Sequence, residues 1–253
     1  MFKKATKAQS KLRAAIYGPA GSGKTFTSLS VATGLGKRIA LIDTERGSAS
    51  KYSDRFDFDV CELEENTLGN YITAIGQAVE GKYDVLIIDS LTHAWKDLLE
   101  EVDLLAKTKF RGNTWSAWSE GTPRQRSFID AIIGAPLHVI GTMRTKTDWL
   151  VGESARGKTT ISRVGLAPEQ GKGIEYEFDL LMEISTEHVG HVVKDRTGKF
   201  QDALIDKPDA EFGKQLHAWL TDGEIAENTI DYAKKIFDAE QVVSAETTPI
   251  TKF

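Results

Sequence analysis

The chain has 253 residues, enough for one large α/β domain or a domain with a small appendage. With 40% hydrophobic and 27% charged residues it has an ordinary soluble balance, and no apolar run approaches the ~20 residues of a bilayer span. A net charge of −5 excludes a protein coated in basic surface, so any nucleic-acid site must be local.

The start, Met1 to Leu12, is basic and polar, with no apolar stretch to serve as a secretory signal. Arg13 to Tyr17 is an apolar run ending at a glycine and reads as a buried strand. A Gly-rich loop follows, then a helix from Lys24 to about Thr33, stopped by Gly34 and Gly36. Arg38 to Ile42 is the next buried strand, and it runs into Asp43-Thr44-Glu45-Arg46-Gly47. Phe56 to Leu63 is a further candidate strand. Asn66 to Glu80 is a helix, because Leu68, Ile72, Ile75 and Val79 recur at helical spacing. Tyr83 to Asp89 is the most apolar strand, and Leu91 to Lys107 an amphipathic helix.

Thr122-Pro123-Arg124-Gln125 reads as a helix start, with a capping box and proline at the first position; that helix runs to about Ile133. Leu137 to Gly141 is a strand. Lys146 to Lys172 is long and polar, with no clear period, as functional loops are. Ile174 to Ile184 and His188 to Lys194 read as strands of a hairpin, Pro208 to Leu220 and Ile225 to Phe237 as helices, and Val242 to Phe253 as a frayed tail. The single cysteine, Cys61, cannot form an internal disulfide, which fits a reducing, cytoplasmic compartment. Strands alternating with helices predict an α/β fold with a mostly parallel sheet flanked by helices. Ligands then gather at the carboxyl ends of the strands, where Gly18–Thr25, Asp43–Glu45 and Asp89–Ser90 all fall.

Gly18-Pro19-Ala20-Gly21-Ser22-Gly23-Lys24-Thr25 fits the phosphate-loop pattern G-x-x-x-x-G-K-[ST] at every fixed position. Its glycines let backbone N–H groups turn toward phosphate oxygens, and the following helix offers its positive end. Lys24 is expected at the β- and γ-phosphates of ATP and Thr25 on Mg2+, with Phe26 ending the nucleotide-binding stretch. Asp89, at the end of its strand, is expected to hold Mg2+ through water; the alternative is a cap for the helix at Leu91. Glu45 is expected just past the strand neighbouring the phosphate loop, where a carboxylate can activate the attacking water. Its alternative is a solvated acid paired with Arg46.

The order of phosphate loop, Ile42-Asp43-Thr44-Glu45 and Tyr83 to Ser90 resembles the RecA-like ATPase core. Within that superfamily the chain looks like short RecA-like ATPases of bacteriophages, some of which act as single-strand annealing or recombination proteins. Lys11 to Thr25 and Val192 to Phe200 carry that narrower likeness, which covers about Lys11 to Leu204. The resemblance implies a RecA-like core over residues 11–205, with a basic segment over 1–10 and a helical extension with a frayed tail over 206–253. It implies that Glu45 positions the attacking water and that the strand ending near Thr142, Met143 and Arg144 senses the γ-phosphate. This chain has no glutamine there, unlike common RecA-like recombinases.

Lys194 and Arg196 are similar to the Lys-x-Arg element whose two cations enter a neighbouring subunit's nucleotide site. The active form would then be a homo-oligomer, a ring or a filament. The alternative is an exposed basic hairpin end. The regions matching the family's single-stranded DNA loops are Ala106 to Gly121 and Thr145 to Lys172. The first holds Lys107, Lys109 and Arg111 with Trp115 and Trp118; the second holds Lys146, Arg156, Lys158 and Arg163 with Trp149. Cations for phosphates and aromatics for base stacking suit single-stranded DNA, although the tryptophans can equally be core and the lysines solvated.

The resulting expectation is a DNA-dependent ATPase acting in phage recombination in the host cytoplasm, without a membrane. A single-strand-binding protein is a candidate partner of the tail. A P-loop nucleotide or small-molecule kinase and a regulatory ATPase binding only protein partners stay open.

Overall fold

The computed structural model describes residues 7, 9–153, 159–171 and 173–223, with backbone alone over 147–166. Its centre is a parallel sheet of strands β1 (Arg13–Gly18), β2 (Ile39–Asp43), β3 (Asp59–Glu62), β4 (Val85–Asp89), β5 (His138–Glu153) and β7 (Leu180–Ile184). They stand in the order β3-β2-β4-β5-β1-β7. Strands β8 (Val189–Asp195) and β9 (Leu204–Asp206) extend the sheet antiparallel beyond β7, and β6 (Thr159–Pro168) pairs antiparallel with the outer part of β5.

Strands β1 and β4 are buried along their whole length, as their uninterrupted apolar runs predict for a sheet covered on both faces. One face packs against helices α2 (Leu68–Glu80), α3 (Leu91–Thr108) and α4 (Thr114–Gly134), through Tyr71, Ile75, Leu98 and Phe128. Helices α1 (Lys24–Leu35) and α5 (Ala210–Thr221) cover the other, through Leu29, Phe212 and Leu216. No helix among the described residues is long and apolar enough to cross a membrane.

The predicted α/β architecture stands, and four local expectations change. Helix α4 begins at Thr114, not Thr122, because the Asn113 side chain accepts from the Ser116 N–H and caps it earlier. Pro123 is tolerated inside it: the carbonyl it leaves without a helix partner belongs to Ser119, an exposed residue that water can serve. The first candidate DNA loop, Ala106 to Gly121, is therefore mostly the helical hairpin of α3 and α4. The aperiodic stretch after Thr145 is a β-hairpin of β5 and β6. Residues 174–176 form a single 3-10 turn rather than strand. Ile225 to Phe237 and the tail lie outside the described residues.

Helices α1 and α5 cross at two glycines. A Cβ on Gly34 would sit 2.0 Å from the Ala210 carbonyl oxygen, and one on Gly213 would sit 2.1 Å from that of Val31. Both obstacles are backbone, so neither can swing aside. Gly34→Ala should cost about 1–3 kcal/mol through overpacking, outweighing alanine's better helix propensity. A urea titration checks this; an unchanged midpoint would mean that the helices do not meet so closely.

Candidate functional site: a phosphate pocket at the carboxyl edge of the sheet

Strand β1 ends in the Gly-rich loop. Gly21 and Gly23 have φ of 79° and 83°, a left-handed backbone that lets the loop wrap an anion with its N–H groups. The Lys24 ammonium arches back over the loop and donates to the carbonyls of Gly18 (3.0 Å) and Pro19 (2.8 Å). Burial lowers its pKa, while the Asp89 and Glu45 carboxylates oppose that fall.

Strands β2 and β4 run in register, with Asp43 opposite Asp89, so both acidic ends emerge at one edge. Thr25 Oγ1 donates to Asp89 Oδ2 at 2.5 Å, and Thr142 Oγ1, from the end of β5, donates to Asp89 Oδ1 at 2.5 Å. Burial raises the Asp89 pKa, and these two hydroxyl donors work against the rise. Ser90, not Asp89, stands at the cap position of α3, so the capping alternative for Asp89 does not hold. A hydroxyl beside a carboxylate, both hard oxygen donors within 2.5 Å, is a set that fits magnesium.

Asp43 is a buried scaffold. It accepts from the Glu45 N–H (2.6 Å) and the Ala49 N–H (2.9 Å), which curls the chain after β2. Thr44 closes the other side: its N–H and its hydroxyl both donate to the Asp89 carbonyl, at 2.9 and 3.0 Å, while its Oγ1 lies 2.6 Å from His93 Nδ1. Burial, then Arg144, lower the His93 pKa. The curl presents Glu45 to the pocket, where its carboxylate accepts from the Arg144 guanidinium at 2.6 Å. Its ion-pair partner is thus Arg144 and not Arg46.

The sequence predicts that β2 neighbours β1, and the structure differs: β4 and β5 stand between them. The fully buried β4 takes the inner position, and Glu45 reaches the pocket through the turn after β2 instead.

The pocket holds about 540 Å³ and gathers the Gly-rich loop with Lys24, Thr25, Glu45, Asp89, Arg144 and Lys96. Lys96, one helical turn after Thr92, pairs with Glu169 at 3.2 Å. Nothing in its local sequence distinguishes Lys96 from a solvated helix lysine. Phe26 lines a separate, mainly apolar cleft of about 600 Å³ beside the loop, with Tyr52, Arg55, His188 and Pro208. The edge-on packing of Phe26 against Tyr52 and Phe56 holds it there.

Lys194 and Arg196 are elsewhere. Leu180 pairs with Ala14 and with Asp195, so both cations stand at the opposite end of the sheet from Gly18. Lys194 donates to the carbonyls of Glu175 (2.7 Å) and Tyr176 (3.0 Å); Arg196 donates to the Tyr176 carbonyl (2.6 Å) and pairs with Asp179. Within one chain they staple the 174–179 segment to β8.

The candidate DNA residues divide sharply. Trp115 is 88% exposed at the tip of the α3–α4 hairpin. Trp118 instead stacks on Trp95 at 5.8 Å and packs against the core. Lys107 pairs with Asp103 and Lys109 with Glu120, while Arg111 is exposed in the turn between the helices. Lys146 is exposed on β5. Arg156 and Lys158 lie outside the described residues, as does the side chain of Arg163.

The family model for the AAA domain matches residues 10–204. No curated protein matches the sequence at a significant level. The matched span runs from just before β1 to the start of β9 and takes in the whole phosphate pocket. The chain therefore belongs to this AAA-domain family of P-loop ATPases.

Proposed function

We propose that this ATPase hydrolyses ATP with Mg2+, binds single-stranded DNA, and promotes annealing or strand exchange in phage recombination, within the host cytoplasm. Glu45 takes the proton of a water whose oxygen attacks the γ-phosphorus. The bond from that phosphorus to the β–γ bridging oxygen breaks, and ADP and phosphate leave. Lys24 and the loop N–H groups hold the phosphates, and Phe26 with Tyr52 offers the adjoining cleft to the base. Magnesium held by Thr25 and Asp89 neutralises phosphate charge when bound.

The observation that carries the DNA reading is Trp115. Trp115 is 88% exposed at the tip of the helical hairpin, which leaves its indole accessible for a base to stack on. Lys107, Lys109 and Arg111 belong to the same stretch of chain, the mix that sequence-tolerant single-strand binding uses, and Lys146 with Arg156, Lys158 and Arg163 are the further contacts proposed from the sequence. Lys194 and Arg196 stand too far along the sheet to serve their own chain's phosphates, so their proposed role is in a neighbouring copy's pocket, in a ring or filament.

Trp115→Ala should weaken binding of a fluorescent single-stranded oligonucleotide about 5- to 150-fold, the loss of roughly 1–3 kcal/mol of stacking. Hydrolysis measured with and without the oligonucleotide, together with sizing of the complex, tests the whole reading. An unstimulated, persistently monomeric ATPase would refute it. Release of ADP that depends on a small acceptor instead of DNA would point to a kinase.

A further inference from the structure

His188 stands in the turn between β7 and β8, where that turn meets the phosphate loop. Its Nδ1 lies 3.0 Å from the Ser22 carbonyl oxygen. A carbonyl only accepts, so Nδ1 carries the hydrogen, and the neutral ring keeps a lone pair on Nε2. We infer that this nitrogen recognises the sugar of the bound nucleotide: Nε2 accepts a hydrogen bond from a ribose hydroxyl, and His188 sets a preference for ATP over its deoxy analogues. This rests on the reading that the phosphates lie on the loop and the base in the cleft of Phe26 and Tyr52.

Position supports it first. In a nucleoside triphosphate the sugar joins the phosphates to the base, so it lies where the phosphate pocket meets the cleft. Gly21, Gly23 and Tyr52 line both cavities and mark that boundary. His188 lines the cleft and packs on Gly23, where a Cβ would sit 3.2 Å from Nδ1.

The chemistry of the cleft supports it next. A sugar hydroxyl needs an acceptor for its hydrogen. The cleft's cations, Arg55 and Lys207, only donate. Asp209 spends Oδ1 on capping α5, accepting from the N–H groups of Glu211 (2.9 Å) and Phe212 (3.3 Å). Thr27 and Ser30 follow farther along α1, away from the loop. Among the described residues none hydrogen-bonds Nε2 of His188.

The ring is also fixed before a nucleotide arrives. His188 has φ of 65°; its N–H donates to the Ser185 carbonyl and its own carbonyl accepts from the Lys207 N–H, both at 3.0 Å. With the Ser22 contact, backbone and ring are held at three points, so accepting a hydroxyl costs little side-chain entropy. The residue is exposed, and a ligand can reach it.

The test needs no turnover: calorimetric titration with Mg2+ and ADP, 2′-deoxy-ADP or 3′-deoxy-ADP. The wild type should bind one of the two analogues about three- to tenfold more weakly than ADP, the worth of one neutral hydrogen bond, and which analogue it is identifies the hydroxyl. His188→Ala should lose that discrimination. His188→Asn is the sharper variant, because its amide N–H can replace Nδ1–H on the Ser22 carbonyl while nothing replaces Nε2. It should bind the weaker analogue as the wild type does, which shows an intact loop, and bind ADP no better than that analogue. A wild type that binds all three alike would overturn the inference. So would discrimination that survives in His188→Asn, or an equal loss for all three ligands in both variants, which would make His188 only a prop for the loop. Tyr52→Ala tests the base position separately. It should weaken ADP but not inorganic pyrophosphate; unchanged ADP binding would refute the cleft as the base site and leave the deoxy comparison as it stands.

Discussion

Glu45→Gln should bind Mg-ATP and fail to hydrolyse it, with single-turnover phosphate release slowed about 10²- to 10⁴-fold, the usual contribution of a positioned general base. The amide keeps the size of the side chain but has no charge with which to take a proton from water. Its backbone position survives, because Asp43 fixes it through the Glu45 N–H, a bond the substitution does not touch. Stability should change little: the lost pair with Arg144 is partly solvated, and such pairs contribute about 0.2–1 kcal/mol. A variant that retains wild-type release would remove Glu45 from the chemistry and return it to a loop acid whose task is to hold Arg144.

Lys24→Ala should weaken nucleotide binding by about one to two orders of magnitude. The ammonium is already aimed by two loop carbonyls at 3.0 and 2.8 Å, so little side-chain freedom is left to lose when phosphate binds. Removing one charge-assisted contact costs about 1.5–3 kcal/mol, or roughly 10- to 150-fold in affinity. Thermal unfolding reads this directly. At about 100 times its dissociation constant, Mg-ATP adds roughly 2.7 kcal/mol to the wild type, worth about 5–10 °C in a domain of this size. The variant, at the same nucleotide concentration, should gain at most about half of that shift. A full thermal shift in Lys24→Ala would mean that the loop N–H groups and the helix end bind the phosphates unaided.

Much of this was legible in the chain. The phosphate loop is a local device: its spacing and its glycines are enough to cradle an anion whatever surrounds them. Val85 to Ile88 announces a buried central strand because four consecutive apolar residues have nowhere else to go, and that places Asp89 at the sheet's edge. That Gly18–Thr25, Asp43–Glu45 and Asp89–Ser90 share one edge of the sheet follows from parallel strands alone.

Other features depend on contacts between distant residues. Trp115 and Trp118 sit three residues apart with the same composition around them, yet one is bare and the other stacks on Trp95. The difference is the direction each takes from α4, which was set only once Asn113 and not Thr122 started that helix. Thr142 looks like any strand-end threonine until β5 lies beside β4 and its hydroxyl meets Asp89. Strand order is equally non-local: β2 is removed from β1 by two strands, and only the Asp43-held turn brings Glu45 back to the pocket.

By itself, then, the sequence determined the phosphate-loop pattern of Gly18 to Thr25, because that pattern is written in consecutive residues. Tertiary structure alone decided that Arg144, 99 positions from Glu45, faces it across the same pocket. An ion pair between strand ends depends on which strands are neighbours and how far each turn reaches, and neither quantity is encoded within any short stretch of chain.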